Sequence, residues 1–188
     1  MSDPVGAAPK KKSARAEPVV PAMNKLLIAA GLVFFDQAAK LAADKQLYQN
    51  ESIPVIPQIF HITLVYNTGT AFGLFRNQNF ILAGAAVMAI AALVYLYARA
   101  PQLASGRATV LWQNALLCIL CGAVGNLIDR IRLGYVVDFI DLRVWPVFNI
   151  ADSLITIGVV LLLLVMVFDS PGRSGTGSRE HTGGTDAS

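Results

Sequence analysis

Four apolar windows decide what this chain can become: about Asn24 to Asp44, Gln78 to Arg99, Thr109 to Ile128, and Phe148 to Phe168. Each matches the roughly 20 residues a helix needs to cross hydrocarbon, where every backbone polar group must find its partner within the segment. Only 14% of the residues are charged and the mean hydropathy is +0.55, whereas soluble domains carry about 25% charged residues. The expected fold is an all-α membrane protein with four transmembrane helices, and little chain is left for a soluble domain. Within it, residues 23–169 form the membrane domain. Residues 1–22, rich in Ala, Pro and Lys, and residues 170–188, rich in Gly, Ser and Thr, bury too little apolar surface to fold and are expected to be disordered tails.

Basic residues in short flanks orient such a bundle. Lys10, Lys11, Lys12, Arg15 and Lys25 precede the first window, Arg99 and Arg107 bracket the second connection, and Arg173 and Arg179 follow the fourth window. These three segments are expected in the cytoplasm, with both termini there. The other two connections are then extracytoplasmic. The first window has the look of a leader peptide, with Lys25, an apolar run from Leu26 to Phe35 and small residues at Ala42 and Ala43. Asp36 and Lys40 interrupt the stretch that a leader keeps apolar, so a retained helix is expected.

About thirty residues separate the first two windows, too many for a passive turn. Within this outer region, about 50–76, "FHITLVYN" alternates Phe60, Ile62, Leu64 and Tyr66 against His61, Thr63, Val65 and Asn67, the period of a half-buried strand. Pro54 and Pro57 confine "SIPVIPQ" to edge or irregular structure. A small extracytoplasmic sheet resting on the bundle is expected. Asn67 and Gly69, in "YNTGTAFGLF", form a turn signal that is weak alone. His61 reads as a surface strand residue, since no nucleophile in the sequence pairs with it.

An ionisable group inside a membrane helix costs about 2.5–3.5 kcal/mol on insertion scales and is a functional hypothesis by default. Asp36 and Lys40 lie four apart on one helix face and can pair, either to support the site or to touch substrate. The third window ends with Asn126, Asp129 and Arg130, and the fourth begins with Asn149 and Asp152. Running in opposite directions, the two Asn-x-x-Asp pairs reach the same outer level and should face one another. For Asn126, Asp129, Arg130 and Asn149 a hydrogen-bonded clasp between helix ends is the simpler expectation than chemistry. Gly122, Gly125 and Gly158 are the small residues that let membrane helices approach closely.

Asp138 and Asp152 are different. "RLGYVVDFI" is a short amphipathic segment that must fold back over the bundle, presenting Asp138 beside the first turns of the fourth helix. Two carboxyls brought together in a partly dehydrated site share one proton, and such a pair can hydrolyse peptides: one acid activates water while the other polarises the carbonyl. No metal is expected, because there are two histidines in the chain and one lies in the C-terminal tail. Ser153 has no histidine partner, and Cys118 and Cys121 sit deep in the third helix, where buried free thiols are expected. A proton-coupled carrier is a rival class, but carriers need repeated halves and acids near the midplane. A non-catalytic assembly or lipid-binding protein is another, with the polar pairs serving only as helix glue.

"FDQAAK", "YNTGTAFGLF", "CGAVGNLIDRIRLGYVVDFID" and "FNIADS", in order between about Asn24 and Phe168, resemble the bacterial lipoprotein signal peptidases, signal peptidase II. The resemblance implies an aspartyl endopeptidase of the bacterial inner membrane. It would remove signal peptides from prolipoproteins, cutting before a cysteine that carries a diacylglyceryl group. It implies Asp138 and Asp152 as the catalytic acids, with Asp36, Lys40, Asn67, Gly69, Gly122, Asn126, Asp129, Arg130 and Asn149 shaping and supporting the site. A short extracytoplasmic helix beside the sheet is implied too. Membrane lipids and the acylated precursors are the expected partners of a monomer near the extracytoplasmic face, with no cofactor and no nucleic acid.

Overall fold

The computed structural model describes residues 22–69, 78–103 and 106–168, and the tails expected at 1–22 and 170–188 lie outside these apart from Ala22. Four helices carry the chain: α1 (Ala22–Gln46), α2 (Asn79–Leu103), α3 (Arg107–Arg132) and α4 (Ile150–Phe168). Each contains a stretch long and apolar enough to cross a membrane. Their outward faces carry Leu, Ile, Val and Phe that stand more than half exposed, including Phe34, Phe80 and Leu163, as expected where the surrounding medium is lipid.

α3 is the centre of the bundle. α4 and α2 pack on its two flanks and α1 crosses it, whereas α2 makes no comparable contact with α1 or α4 among the described residues. Glycines bring α3 and α4 together. A methyl at Gly122 would collide with the Ala151 carbonyl, and one at Gly158 would stand 2.6 Å from the Ala115 carbonyl. Without these side chains the two backbones touch directly, which is how packing replaces the hydrophobic effect between helices in lipid.

The two long connections meet at one end of the bundle, and there they merge. β1 (Ser52–Ile56) and β2 (Phe60–Asn67) come from the first, β3 (Val136–Asp141) from the second, and they form one antiparallel sheet in the order β1-β2-β3. The alternation of β2 is realised as Leu64, Ile62 and Tyr66 packed with Val137, Tyr135 and Phe139 against Ala43 and Leu47 at the end of α1. Tyr66 adds a polar tie, its hydroxyl donating to Asp44 at 2.7 Å, and its ring lies 4.5 Å from that of Tyr135. Bonding to the Asp44 carboxylate pushes the Tyr66 phenol up to about 12.

"RLGYVVDFI" therefore supplies a strand, a pairing that its sequence pattern alone does not announce. Among the described residues the sheet end contains strands and turns and no short helix; residues 70–77 lie outside them. The hinge after β3 is closed at its base, where Ile140 and Phe148 exchange backbone hydrogen bonds of 2.7 and 3.0 Å. Arg143 turns the chain there at φ 65°, with its amide and guanidinium both donating to Asp141. β3 thus returns the chain directly to the start of α4.

Widening Gly122 or Gly158 to Val forces α3 and α4 apart and should lower stability by about 1–3 kcal/mol, as overpacking does. Gly84, in α2, has open space around its α-carbon, so Gly84→Ala should change stability by less than about 0.5 kcal/mol. Thermal unfolding of the three variants in one detergent gives the comparison. Equal midpoints for Gly122→Val and Gly84→Ala would contradict the close α3–α4 contact.

Candidate active site

Asn149 stands just before α4 and makes the most consequential set of bonds in the molecule. Its Oδ1 accepts the Asp152 backbone N–H at 2.9 Å, and the Asp152 carboxylate accepts the Asn149 N–H at 3.3 Å. This reciprocal pair is a capping box, which satisfies donors that a helix N-terminus otherwise leaves open. The amide nitrogen faces the other way. It donates to Asp138 Oδ1 at 2.7 Å and to Asn126 Oδ1 at 3.1 Å, with the Val137 carbonyl at 3.3 Å. One buried amide thereby links the acid on β3 to the acid in the first turn of α4.

Each acid has a second amide partner. Asn126 donates to Asp152 Oδ1 at 2.7 Å, and Asn67 donates to Asp138 Oδ2 at 2.9 Å. Sheet register explains the latter: Val65 is opposite Asp138, so Asn67, two residues along, is the diagonal neighbour on the same face. Asn67 Oδ1 also accepts the Gly69 N–H at 3.0 Å, which keeps Gly69 beside the site. Burial and the neighbouring Asp152 push the Asp138 carboxyl up to about 7, against the opposing pull of its Asn67 and Asn149 bonds and of Lys40. A carboxyl in that range is about half protonated at neutral pH, so the pair can share one proton there.

Behind these residues lies a buried charge cluster. The Lys40 ammonium, 3% exposed, donates to Asp36 Oδ2 at 3.0 Å, Asp129 Oδ2 at 2.9 Å and Asn126 Oδ1 at 3.0 Å. An ammonium has three N–H groups, so all are engaged and none is left for a substrate. Every partner of Lys40 holds another part of the site. Asp36 Oδ1 accepts the Ala151 N–H at 2.8 Å, a carboxylate cap on the first turn of α4. Asp129 Oδ2 accepts the Val137 N–H at 3.2 Å, next to Asp138. Asn126, its oxygen held by Lys40, turns its nitrogen to Asp152.

Asp138 and Asp152 line a cavity of about 440 Å³ with Asn67, Asn126 and Arg130 on its polar side. Ala86 of α2, Ile155 of α4 and Trp145 and Phe148 of the hinge form its apolar walls. Arg130 has a buried Nε with no partner among the described residues, and its Nη1 reaches the Asn126 carbonyl only at 3.5 Å. Asn79 at the start of α2 donates to the Arg130 carbonyl at 3.0 Å, tying α2 to the rim. Gly122 and Gly125 sit behind the site, where a methyl on Gly125 would stand 2.7 Å from Asp36 Oδ2.

The structure brings together all eleven residues singled out by the sequence. The Asp36–Lys40 pair faces into the protein, with Lys40 bonded also to Asp129 and Asn126, and the clasp extends to Asp152. Gln37 was not singled out, yet its amide donates to Asp129 at 2.9 Å, the Gly125 carbonyl at 3.1 Å and Asp36 at 3.2 Å. As a polar residue within a membrane helix, between Phe35 and Lys40, it carried a usable signal. His61 does meet a hydroxyl, with Ser52 Oγ 3.0 Å from Nδ1, but Asp141 bonds Thr63 and not the imidazole. That group lies on the sheet away from the cavity and forms no nucleophile relay. Cys118 and Cys121 are free thiols, and Cys121 Sγ points to the Ala29 carbonyl at 3.8 Å. No cluster of metal-ligating side chains occurs among the described residues.

Residues 28–168 match the family model described as signal peptidase (SPase) II. A lipoprotein signal peptidase of Moorella thermoacetica is 43% identical over 140 residues, 74% of this chain and 90% of that protein. One from Clostridioides difficile is 39% identical over 155 residues, covering 80% of this chain and all of the relative. A solved bacterial membrane enzyme superposes with a TM-score of 0.74 at 32% identity, covering 85% of this chain and 96% of its own. Sequence, fold and relatives agree over the same span, and the chain belongs to the signal peptidase II family, as a multi-pass membrane aspartic endopeptidase.

Proposed function

We propose that this enzyme removes the signal peptide of prolipoproteins by cutting before a diacylglyceryl-modified cysteine, with Asp138 and Asp152 as the catalytic acids. The carrying observation is the Asn149 side chain, bonded at once to the Asp138 carboxylate and to the Asp152 backbone at the wall of one cavity. In the reaction, the ionised acid takes a proton from water as the oxygen adds to the scissile carbonyl. The protonated acid gives its proton to the carbonyl oxygen. The tetrahedral diol then collapses: one acid gives its proton to the leaving nitrogen as the C–N bond breaks, a diol hydroxyl gives its proton to the other acid, and the pair is again singly protonated. Products are a free peptide carboxylate and the amine of the lipidated cysteine.

The remaining residues have supporting parts. Asn67, Asn126 and Asn149 hold the acids in register without titrating. Arg130, with its unpartnered Nε beside the cavity, donates to a substrate backbone carbonyl. Asp36, Lys40, Asp129 and the glycines position these groups from behind. The basic flanks support placing both termini in the cytoplasm of a bacterium and the site at the outer face of its inner membrane, where a signal helix ends and its lipid-bearing cysteine begins. The enzyme acts as a monomer among membrane lipids, without a cofactor.

Asp138→Asn or Asp152→Asn alone should lower turnover of an acylated precursor by at least about 10³-fold, in line with losing a general acid or base, while the protein still folds. Gel assay of purified protein in detergent reads this directly, and retained cleavage in either variant sinks the pair. The pH dependence has a defined sign. Asp138 is raised from 3.8 to about 7, so the shared proton is lost as pH climbs through about 7, and kcat/KM should fall there. The bond from Asn67 favours the ionised form, so Asn67→Ala should move this alkaline limb upward by a fraction of a unit to about one unit. A limb that stays put or moves down in that variant contradicts the assignment of Asp138.

A further inference from the structure

Asp152 borders two hollows. The first is the cavity just described. The second, of about 380 Å³, adjoins it between the first turns of α4 and the hinge, sharing Trp145, Phe148, Asp152 and Thr156 and adding Leu142, Ser153 and Ile157. Helical spacing accounts for the arrangement. Asp152 and Thr156, four apart, line both hollows and make a ridge between them. Ile155 faces the first, whereas Ser153 and Ile157 face the second.

The two hollows differ in chemistry. The first has Asn67, Asn126 and Arg130 in its wall; the second has none of them. Its hydroxyls already donate to backbone, Ser153 to the Asn149 carbonyl at 3.1 Å and Thr156 to the Asp152 carbonyl at 2.9 Å. A hydrocarbon chain lying there leaves both hydroxyls paired and meets an ionisable group at the Asp152 edge alone. Leu142, Trp145 and Ile157 line it and are 40–59% exposed, which opens the groove sideways to the bilayer.

We propose that this second hollow is an acyl-chain subsite: one chain of the substrate's diacylglyceryl group lies along Leu142, Trp145 and Ile157 while the peptide occupies the first hollow. The inference rests on the proposed function above. The lipid hangs from the cysteine whose amine is released, a few bonds from the scissile carbon. A cavity near 440 Å³ is the size that takes one compact ligand, so peptide and acyl chains together overfill it. The only other apolar space reaching Asp152 among the hollows described is across the Asp152–Thr156 ridge. Lipid tails are as apolar as leucine, so the groove gains little affinity over bilayer; it acts by orienting the cysteine for attack.

The test uses an acylated precursor with a diazirine at mid-chain, irradiated with the full-length Asp152→Asn protein in phospholipid nanodiscs. Label, assigned residue by residue, should concentrate on Leu142, Ser153 and Ile157, which line the second hollow and not the first. In otherwise unaltered enzyme, Ile157→Trp should fill the groove, cut that label several-fold and lower kcat/KM for the acylated precursor about tenfold. If Ile157→Trp does not fold, Ser153→Phe fills the same space. Label concentrated beside Ala86 or Ile155 overturns the subsite. So does equal labelling of the groove by a diazirine phosphatidylglycerol, which would make it an ordinary lipid contact. An unaltered enzyme that cuts no acylated precursor would overturn the function instead, since the position of the label is read independently of turnover.

Discussion

Lys40 holds the site together from inside the membrane domain. One ammonium sits among two carboxylates and an amide, and each of those groups passes the constraint outward: Asp36 to the first turn of α4, Asp129 to the backbone of β3, Asn126 to the side chain of Asp152. Burying charges is costly, and removing one partner of a buried pair costs about 3–5 kcal/mol because the other is left uncompensated. Such a cluster is a poor source of stability but a strong source of specificity. Three segments distant in sequence can satisfy it only in one relative arrangement.

The acids themselves are held differently. They are bracketed by asparagines, groups that hydrogen-bond a carboxylate in either protonation state without adding charge. A lysine or arginine in place of Asn149 would favour the doubly ionised pair. With amides as neighbours, burial and mutual repulsion govern Asp138, and its carboxyl rests near neutrality. The charges of Asp36, Lys40 and Asp129 sit behind the site, where they fix geometry, and neutral amides flank the two acids, with Arg130 in the same cavity wall.

Much of this was legible in the sequence because membrane helices make polar residues conspicuous. Asp36, Lys40, Asn126, Asp129, Asn149 and Asp152 are exceptions within apolar runs, and their spacing put them on shared faces at one depth. The alternation of Phe60 to Asn67 likewise announced a strand. Less was visible where the signal is tertiary. Val136–Asp141 reads as a short amphipathic segment, and its strand identity comes from pairing with β2, about seventy residues earlier in the chain. Gln37 was overlooked because a neutral amide carries less insertion penalty than an ion. That all three Lys40 N–H groups are engaged within the protein depends on counting its partners, which no spacing rule supplies.

The sheet joins strands from both long connections, with α2 and α3 between them in the chain. While a nascent polypeptide is threading into the bilayer, β2 can pair with β1 but lacks β3 until two further spans have entered, and Asp152 arrives only with the last. No shorter insertion intermediate carries both acids. The meeting of Asp138 and Asp152 is thereby withheld until integration is finished, a timing built into the order of the elements along the chain.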